Sequence, residues 1–303
     1  MAKVSALKRL KERIRPRWLK VVRKWASSRL RLRRLSRAYG LQPLSGNPWG
    51  AKRKSDTLFV LGSGASIHDL NETEWAAIAA ADSVGFNNWS LHPFIPTFFV
   101  TEPGKDLAEL ALEYRNLERR GYGVAKVPIL LKDVEKYRYD EVRQVLEAMP
   151  ERLLPQVILS WDWEIHDQRL GHFRRYLRYL DRSGLLLSDA TPVLRKRASV
   201  FYLLMLALRA GYRQVVLCGI DLNNADYFFE RDRAVLAQEG YWLPALKPAD
   251  TTHKTNDPEF GAITIAAAIQ ALRDEVLVRR GLQIAVAFKS SGLYPALPAY
   301  FDR

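Results

Sequence analysis

The sequence predicts an α/β protein built on a doubly wound, mostly parallel sheet. Short apolar runs alternate with stretches of helical periodicity, and strands that alternate with helices form a parallel sheet covered on both faces. The 303 residues are 48% hydrophobic and 26% charged, which is ordinary globular composition and excludes a disordered or coiled-coil chain. No run of 18 apolar residues occurs, so no membrane-spanning helix is expected.

Seven apolar runs are the predicted strands, and six helical patterns lie between or beside them. The predicted strands are 57–61, 82–86, 97–100, 127–131, 156–160, 214–218 and 282–288. The predicted helices are 72–81, 105–120, 133–148, 166–182, 195–211 and 259–280. Together they predict a single domain over residues 56–303. Residues 222–257 have weak periodicity and many polar, aromatic and proline residues, which predicts a lid-like insertion.

The positive charge of the chain is concentrated at its start. The net charge is +14, yet residues 1–54 alone carry 18 Lys and Arg against one acid, Glu12. Apolar residues recur every three or four positions there, which predicts a basic amphipathic helix within residues 1–40. Such a helix with tryptophans suits an anionic membrane surface. An arm that docks on the protein itself and an arm that binds nucleic acid are the alternatives. Residues 41–55 are rich in turn formers and predict a linker.

Cysteine and histidine usage limits the chemistry and the compartment. The only cysteine, Cys218, lies in an apolar run, which excludes a disulfide scaffold and a cysteine-based zinc site. No histidine pair has metal-ligand spacing, so no metal is expected. The N-terminus is too basic for a secretory signal and lacks an apolar core. We expect a cytoplasmic protein, peripheral on the inner face of the cytoplasmic membrane.

The first candidate motif is a strand that runs into a glycine turn at residues 62–66, Gly-Ser-Gly-Ala-Ser. Glycines there would let backbone N–H groups approach a phosphate or a sugar closely. The turn is not a Walker A loop, and the third glycine of the dinucleotide fingerprint is missing. A tight strand-to-helix turn without a ligand is the structural alternative.

Polar residues also follow two other predicted strands. Asn87 and Asn88 follow 82–86, while Gly219 and Asp221 follow 214–218. Ligands of open α/β sheets bind at the carboxyl ends of strands. Asparagines are also common turn residues, and Asp221 could equally cap the next element.

One histidine stands apart from the others. His253 lies in the polar stretch Thr-Thr-His-Lys-Thr-Asn-Asp, residues 251–257, just before a helical pattern. A loop histidine that titrates near neutral pH can act as a general base. A packing or surface role is the alternative.

The order of these blocks resembles the bacterial CMP-sialyltransferases that decorate lipooligosaccharide and capsule. The blocks are the 62–66 turn, Asn87, the Arg-x-x-Ser helix start at 197–200 that leads to the Gly-Ile-Asp at 219–221, and the His-Lys-Thr-Asn-Asp at 253–257. They cover residues 55–300 discontinuously. The resemblance implies a Rossmann-like sheet that is a variant of the GT-A architecture, and a metal-independent, inverting glycosyltransferase with no cofactor.

The resemblance also implies roles for individual residues. His253 would take the proton from the acceptor hydroxyl, and Tyr227 would hydrogen-bond the departing phosphate. The implied donor-binding residues are Gly62, Ser63, Gly64, Ser66, Asn87, Asn88, Glu102, Ser199, Gly219 and Asp221.

The implied donor is a CMP-activated acidic sugar, and the implied acceptor is a glycan or glycolipid. This chain has Ser63 and Ala65 where the family usually has Asn and Pro, and Thr101 or Glu102 where it has a further Asn. A carboxylate at Glu102 would repel a sialate unless it faces a sugar hydroxyl. Sialic acid, another nonulosonate and Kdo therefore all stay open as the transferred sugar.

Two other functions are alternatives to the transferase. A related group with a similar glycine turn is thought to act on pterins as pyrophosphokinases, but that chemistry needs metal ligands. A nucleic-acid-binding protein with a basic arm is the other alternative, but the rest of the chain offers no second basic face. We therefore expect a nucleotide-sugar donor and an anionic membrane surface as partners and no nucleic acid, and leave a homo-oligomer open.

Overall fold

The computed structural model describes residues 17–43, 49–104, 106–189, 191–223, 226–245 and 262–301. Its centre is an eight-stranded sheet in which every pair of neighbouring strands is parallel. In spatial order the strands are β1 (Gln42–Pro43), β6 (Val157–Leu159), β5 (Ile129–Leu131), β4 (Phe98–Thr101), β3 (Asp82–Phe86), β2 (Thr57–Leu61), β9 (Gln214–Cys218) and β10 (Gln283–Val286). The predicted α/β class and parallel sheet are confirmed.

Residues that alternate along each strand face opposite layers of helices. Leu58 and Val60 of β2 belong to one buried cluster, and Phe59 and Leu61 belong to another on the opposite side. All four are nearly inaccessible to solvent. A strand buried on both faces must be apolar throughout, which is why the central strands read as continuous apolar runs.

The helices form the two covering layers. They are α1 (Arg17–Tyr39), α2 (Glu72–Ala80), α3 (Leu107–Arg119), α4 (Tyr139–Glu147), α5 (Leu170–Arg182), α6 (Ser199–Ala210), α7 (Phe228–Arg231), α8 (Arg233–Gln238) and α9 (Ile265–Leu272). Helix α9 continues through a π-helical stretch, Arg273–Leu277, and a 3-10 turn, Val278–Arg280. No helix among the described residues is both long enough and apolar enough to cross a membrane.

Local chemistry sets several helix boundaries. Asn71 and Glu74 form a reciprocal capping box at the start of α2, and Asp106 caps α3. Helix α4 begins later than the predicted 133, because Asp133 has a left-handed backbone (φ 62°) and a separate 3-10 turn, Val134–Lys136, follows it. Gly281 in the left-handed conformation ends the long helical segment after α9.

The periodicity missed three features of the chain. A second, two-stranded parallel sheet pairs β7 (Asp162–Glu164) with β8 (Val193–Arg195). Strand β1 lies in the predicted linker, where it adds an edge to the main sheet beside β6. The predicted lid contains α7 and α8 in its described part, and its function as a lid stays a prediction.

The described part of the N-terminal segment packs on the body of the protein. Leu32 and Leu35 of α1 are buried in the same cluster as Leu61 of β2. Two Arg31 nitrogens donate to the backbone carbonyls of Val134 and Tyr137. The apolar stripe of residues 25–40 is therefore used for internal packing, as in the alternative of an arm that docks on the protein itself, and binding of residues 1–40 to a membrane stays a prediction.

Candidate active site

The order of the strands creates a crevice between β2 and β9. From β2 the chain builds the sheet outward in one direction through β6, then returns to place β9 on the other side of β2. The chain leaves these two strands in opposite directions along the sheet, and such a switch point is where open α/β sheets bind ligands. The loops here are the 62–66 turn and Gly219-Ile220-Asp221, the two glycine blocks singled out in the sequence.

The glycines of the two turns hold the turns against each other. A Cβ on Gly62 would lie 2.5 Å from the carbonyl oxygen of Gly219, and a Cβ on Gly219 would lie 2.7 Å from that of Gly62. The N–H groups of Gly62 and Gly64 donate to the carbonyls of Cys218 and Gly219 at 2.8 and 2.9 Å. These two N–H groups are already paired within the protein, and donor binding by the 62–66 turn stays a prediction. The glycines are required for turn-to-turn packing.

Asp221 and Ser66 are paired with each other. The Ser66 backbone N–H donates to one Asp221 carboxylate oxygen at 3.1 Å, and the Ser66 hydroxyl donates to the other. Asp221 thereby anchors the short 3-10 helix that follows the glycine turn, Ala65–Asp69. The structure thus gives Asp221 an anchoring role, although the element that it anchors follows β2 and is not the next element of the chain.

A cavity of about 310 Å³ opens at the carboxyl ends of the strands around this crevice. Gly62 and Ser66 do not line it, and His253 lies outside the described residues. The predicted site residues that line it are Ser63, Gly64, Asn87, Asn88, Glu102, Ser199, Gly219, Asp221 and Tyr227.

Solved structures with a similar chain path come from sialyltransferases. The monofunctional α-2,3-sialyltransferase Cst-I of Campylobacter jejuni is 15% identical, with 82% of this chain and 81% of that one covered and a TM-score of 0.46. The sialyltransferase CstII of Campylobacter jejuni, solved with the substrate analogue CMP-3FNeuAc, is 13% identical, with 81% and 86% covered and a TM-score of 0.46. These likenesses assign no role to any residue of this chain.

No protein-family model matches the sequence, and no curated protein matches it at a significant level.

The amino end of α6 forms one wall of the cavity. Ala198, Ser199 and Val200 line it, and Ala198 at the N-cap position offers no side chain to cap the helix. The first backbone N–H groups of a helix have no acceptor within the helix, and the helix dipole places partial positive charge there. This wall favours an anionic group.

Ser63 carries an unpaired hydroxyl at the same cavity. The residue is 7% exposed, and its Oγ has no hydrogen-bond partner among the described residues. An unpaired buried hydroxyl is unfavourable by about 1–3 kcal/mol unless something bonds to it. Together with the uncapped start of α6, Ser63 gives the cavity hydrogen-bond donors for a ligand oxygen.

Backbone strain is concentrated around the cavity. Five non-glycine residues of the described chain have positive φ, and four of them line the cavity: Asn87, Asp133, Arg197 and Leu222. The exception is Lys126. Each such residue costs about 1–3 kcal/mol, and strain of this kind clusters at functional sites. Asn87 (φ 54°) directly follows β3, and Leu222 (φ 58°) follows the Gly219-Ile220-Asp221 turn after β9, so both lie at the sites of the predicted motifs.

A buried charge network forms the opposite wall, and the sequence reasoning missed it. Arg195 lies 2.7 Å from Asp133, 3.1 Å from Asp162, 3.2 Å from Glu135 and 2.8 Å from Glu164. The network is built from the ends of β5, β7 and β8. Only Lys132 and Asp133 carried a signal in the sequence, because they directly follow a predicted strand.

The pKa values of two carboxyl groups in this network are shifted in opposite directions. Burial opposes ionisation of Asp133, but Lys132, a hydrogen bond from Asp162 and Arg195 together lower its pKa. Burial and then the nearby Glu135 raise the pKa of Asp162 well above the usual range. The oxygens of Asp133, Glu135 and Asp162 lie within 4.8 Å of one another, and the Arg195 guanidinium is ion-paired with all three. The Arg195 cation thus offsets part of the negative charge of the trio.

Glu102 is paired as well. Its carboxylate accepts a hydrogen bond from Lys132, which is 4% exposed and lines the same cavity. The expected repulsion between Glu102 and an anionic donor is therefore offset by a neighbouring cation. This pairing could not be read from the sequence, since the two residues follow different strands.

A second cavity of about 340 Å³ adjoins the first. The two share Asn87, Asn88 and Glu102, and the second also contains Glu113 and Trp242. Burial and then the Glu102 carboxylate raise the pKa of Glu113 to about 8. Glu113 therefore holds its proton at neutral pH, which limits the negative charge on this side of the site.

Tyr227 lies at the rim of the main cavity. It pairs with Gly64 through an isolated β-bridge, and its ring stacks on Phe229 with the centroids 5.2 Å apart. The stacking fixes the position of the phenol beside the glycine turn. Of the histidines in the described segments, His68, His92, His166 and His172, none lines this cavity.

Proposed function

We propose that the protein transfers an acidic sugar from a CMP-activated donor to a glycan or glycolipid acceptor. The observation that carries this proposal is the meeting of the motifs at the switch point. The residues that resemble a CMP-sialyltransferase lie far apart in sequence, in the 62–66 turn, at Asn87, at Ser199 and at 219–227. Residues from all four line one cavity.

The leaving phosphate fits the wall formed by α6. The N–H groups at the start of this helix and the Ser63 hydroxyl can donate hydrogen bonds to it, and Tyr227, to which the resemblance assigns the same role, lines the same cavity. Donors aimed at developing negative charge lower the barrier to bond breaking. CMP is already a good leaving group, so these donors support a reaction that needs no metal. The trio of Asp133, Glu135 and Asp162 is ion-paired with Arg195, which makes it a poor cation site.

The proposed reaction inverts the anomeric centre. The acceptor hydroxyl oxygen bonds to the anomeric carbon from the face opposite CMP, and the bond from that carbon to the phosphate oxygen breaks. CMP leaves with the bonding electron pair, and His253 takes the proton of the acceptor hydroxyl. Among the described residues, Trp242 lines the adjoining cavity and Ile265 lines the main one.

Nucleotide binding without metal tests the proposal. CMP in the presence of EDTA should raise the melting temperature, because a ligand that binds only the native state stabilises it. UDP, GDP and ADP should have smaller effects. A shift with another nucleotide alone, or one that needs Mg²⁺ or Mn²⁺, would contradict the donor assignment.

A serine variant tests whether CMP binds in this cavity. Ser63→Ala should weaken CMP binding about 2- to 12-fold, the value of one hydrogen bond. Ser36→Ala is the matched control, because Ser36 is also 7% exposed with an unpaired hydroxyl but lies on α1. Equal CMP affinity in both variants would place the nucleotide elsewhere.

A further inference from the structure

The solvent side of α1 is a basic surface. Leu30 is 65% exposed, and Arg33, Arg34 and Arg37 are exposed on the same side of the helix. We call these four residues the outer face. Within the described chain Arg33 and Arg37 take part in no ion pair, while Arg34 lies over the Tyr139 ring at 4.7 Å. No acidic residue occurs between Glu12 and Asp56, so nothing in this sequence segment offsets the charge.

The opposite side of α1, over the described side chains of residues 25–39, packs on the protein. Leu32 and Leu35 are 4% and 0% exposed, and Trp25 makes edge contacts with Trp161 and Trp163 at centroid distances of 6.4 and 5.4 Å. An amphipathic helix ordinarily inserts its apolar side into a bilayer. This part of α1 could do so only by giving up these contacts. Its free side is the outer face.

Helix α1 runs close to the rim of the candidate active site. Arg31 donates to the carbonyl of Val134, and the neighbouring Asp133 lines the cavity. Trp25 contacts Trp163, and the next residue, Glu164, also lines the cavity. A surface bound along α1 would therefore lie beside the cavity.

We propose that the outer face binds an anionic lipid bilayer while α1 remains packed on the protein. This inference concerns binding alone and does not depend on the proposed transferase function.

A bilayer suits the outer face better than a nucleic acid does. Leu30 is exposed next to arginines, and an apolar side chain among basic ones fits the boundary between lipid headgroups and acyl chains. Sequence-independent binding to a phosphate backbone is mainly electrostatic and gives an exposed leucine no role. The chain outside residues 1–54 has a small negative net charge, which provides no second basic face for a nucleic acid.

Vesicle sedimentation tests the binding surface on the full-length protein. The protein should sediment with phosphatidylglycerol vesicles, not with phosphatidylcholine vesicles, and salt should weaken the binding. Arg33→Gln/Arg37→Gln should weaken it about 20- to 30-fold, since one basic residue near such a surface contributes about a factor of five. Arg175→Gln/Arg182→Gln, two exposed arginines on α5, is the matched control and should bind normally. Equal loss in both variants, or tighter binding to duplex DNA than to vesicles, would overturn the proposal.

Two leucine variants test whether α1 stays packed. Leu30→Ala should weaken vesicle binding at least threefold, because it removes apolar surface that reaches the bilayer. Leu32→Ala should leave the affinity of the folded protein unchanged, because Leu32 faces the protein interior. The reverse result would mean that α1 turns its apolar side to the lipid and would overturn the docked arrangement.

Vesicle binding without CMP binding would refute the transferase and leave the outer face as a bilayer-binding surface.

Discussion

The Asp221 carboxylate accepts hydrogen bonds from both the backbone N–H and the hydroxyl of Ser66. The pair connects the turn after β9 to the 3-10 helix after β2, so it holds the two sides of the switch point together. Asp221 also lines the cavity, whereas Ser66 does not. Two residues expected to bind the donor are thus bound to each other, and their first role is to shape the site.

The variant Ser66→Ala tests whether Ser66 stabilises the site or binds the donor directly. The variant should lower the free energy of unfolding by about 1 kcal/mol, the value of one hydrogen bond, and Asp221→Ala should lower it by about 1–3 kcal/mol by leaving Ser66 unpaired. Urea unfolding measures both changes. The CMP affinity of folded Ser66→Ala should stay within about twofold of wild type. A wild-type unfolding midpoint with much weaker CMP binding would instead make Ser66 a direct ligand.

The sequence predicted the central strands well, because a strand that is buried on both faces appears in the sequence as a continuous apolar run. The predicted 57–61, 82–86 and 214–218 coincide with β2, β3 and β9. The loops after these strands were the right places to look for a site. What each glycine does there could not be predicted, because the close contact between Gly62 and Gly219 depends on strands distant in sequence.

The charged wall of the site escaped prediction for a different reason. Strands β7 and β8 are three residues long and end in Glu164 and Arg195, so they lack the apolar run by which strands are recognised. The pairing of β7 with β8 brings Arg195 next to Asp162, and Asp133 comes from the loop after β5. Ion pairs between residues so far apart leave no local spacing to detect.

The packing of α1 predicts unequal effects of two leucines on stability. Leu35→Ala should lower the free energy of unfolding by about 2–5 kcal/mol, because the side chain is 0% exposed in the core. Leu30→Ala, five residues earlier on the same helix, should change it by less than about 0.5 kcal/mol because Leu30 is 65% exposed. Urea unfolding of both variants is the measurement. Equal midpoints would mean that α1 contributes nothing to the fold and behaves as a free arm.

Glu113 predicts a pH dependence of stability. Its pKa is raised by burial and by Glu102 from 4.5 to about 8. Between these values the folded state holds a proton that the unfolded state has released, so this group's contribution to stability falls as the pH rises towards 8. Glu113→Gln removes the titration, and its stability relative to wild type should therefore increase from pH 5 to pH 8 and then level off.

The measurement is the urea midpoint of both proteins from pH 5 to pH 9. Glu118→Gln, at an exposed position on the same helix α3, is the control, and its urea midpoint should change with pH as that of wild type does. If Glu113→Gln also ran parallel to wild type, Glu113 would titrate normally and the side of the site near Glu102 would be more negative than proposed.

The proposed chemistry is tested most directly at His253. If His253 takes the acceptor proton, His253→Ala should lower turnover about 10²- to 10⁴-fold and leave donor affinity nearly unchanged, because a base acts in the transition state. Tyr227→Phe should lower turnover less, since one hydrogen bond to the leaving phosphate is worth about 0.5–1.5 kcal/mol, or up to 3 if charge-assisted. Wild-type activity should fall on the acid side of its pH profile as the imidazole becomes protonated, and this limb should be absent in His253→Ala. His172→Ala is the matched control, because His172 is exposed on α5 and does not line the cavity. Near-normal turnover of His253→Ala, with lowered stability, would make the residue a capping or packing group and remove the base from the proposed reaction.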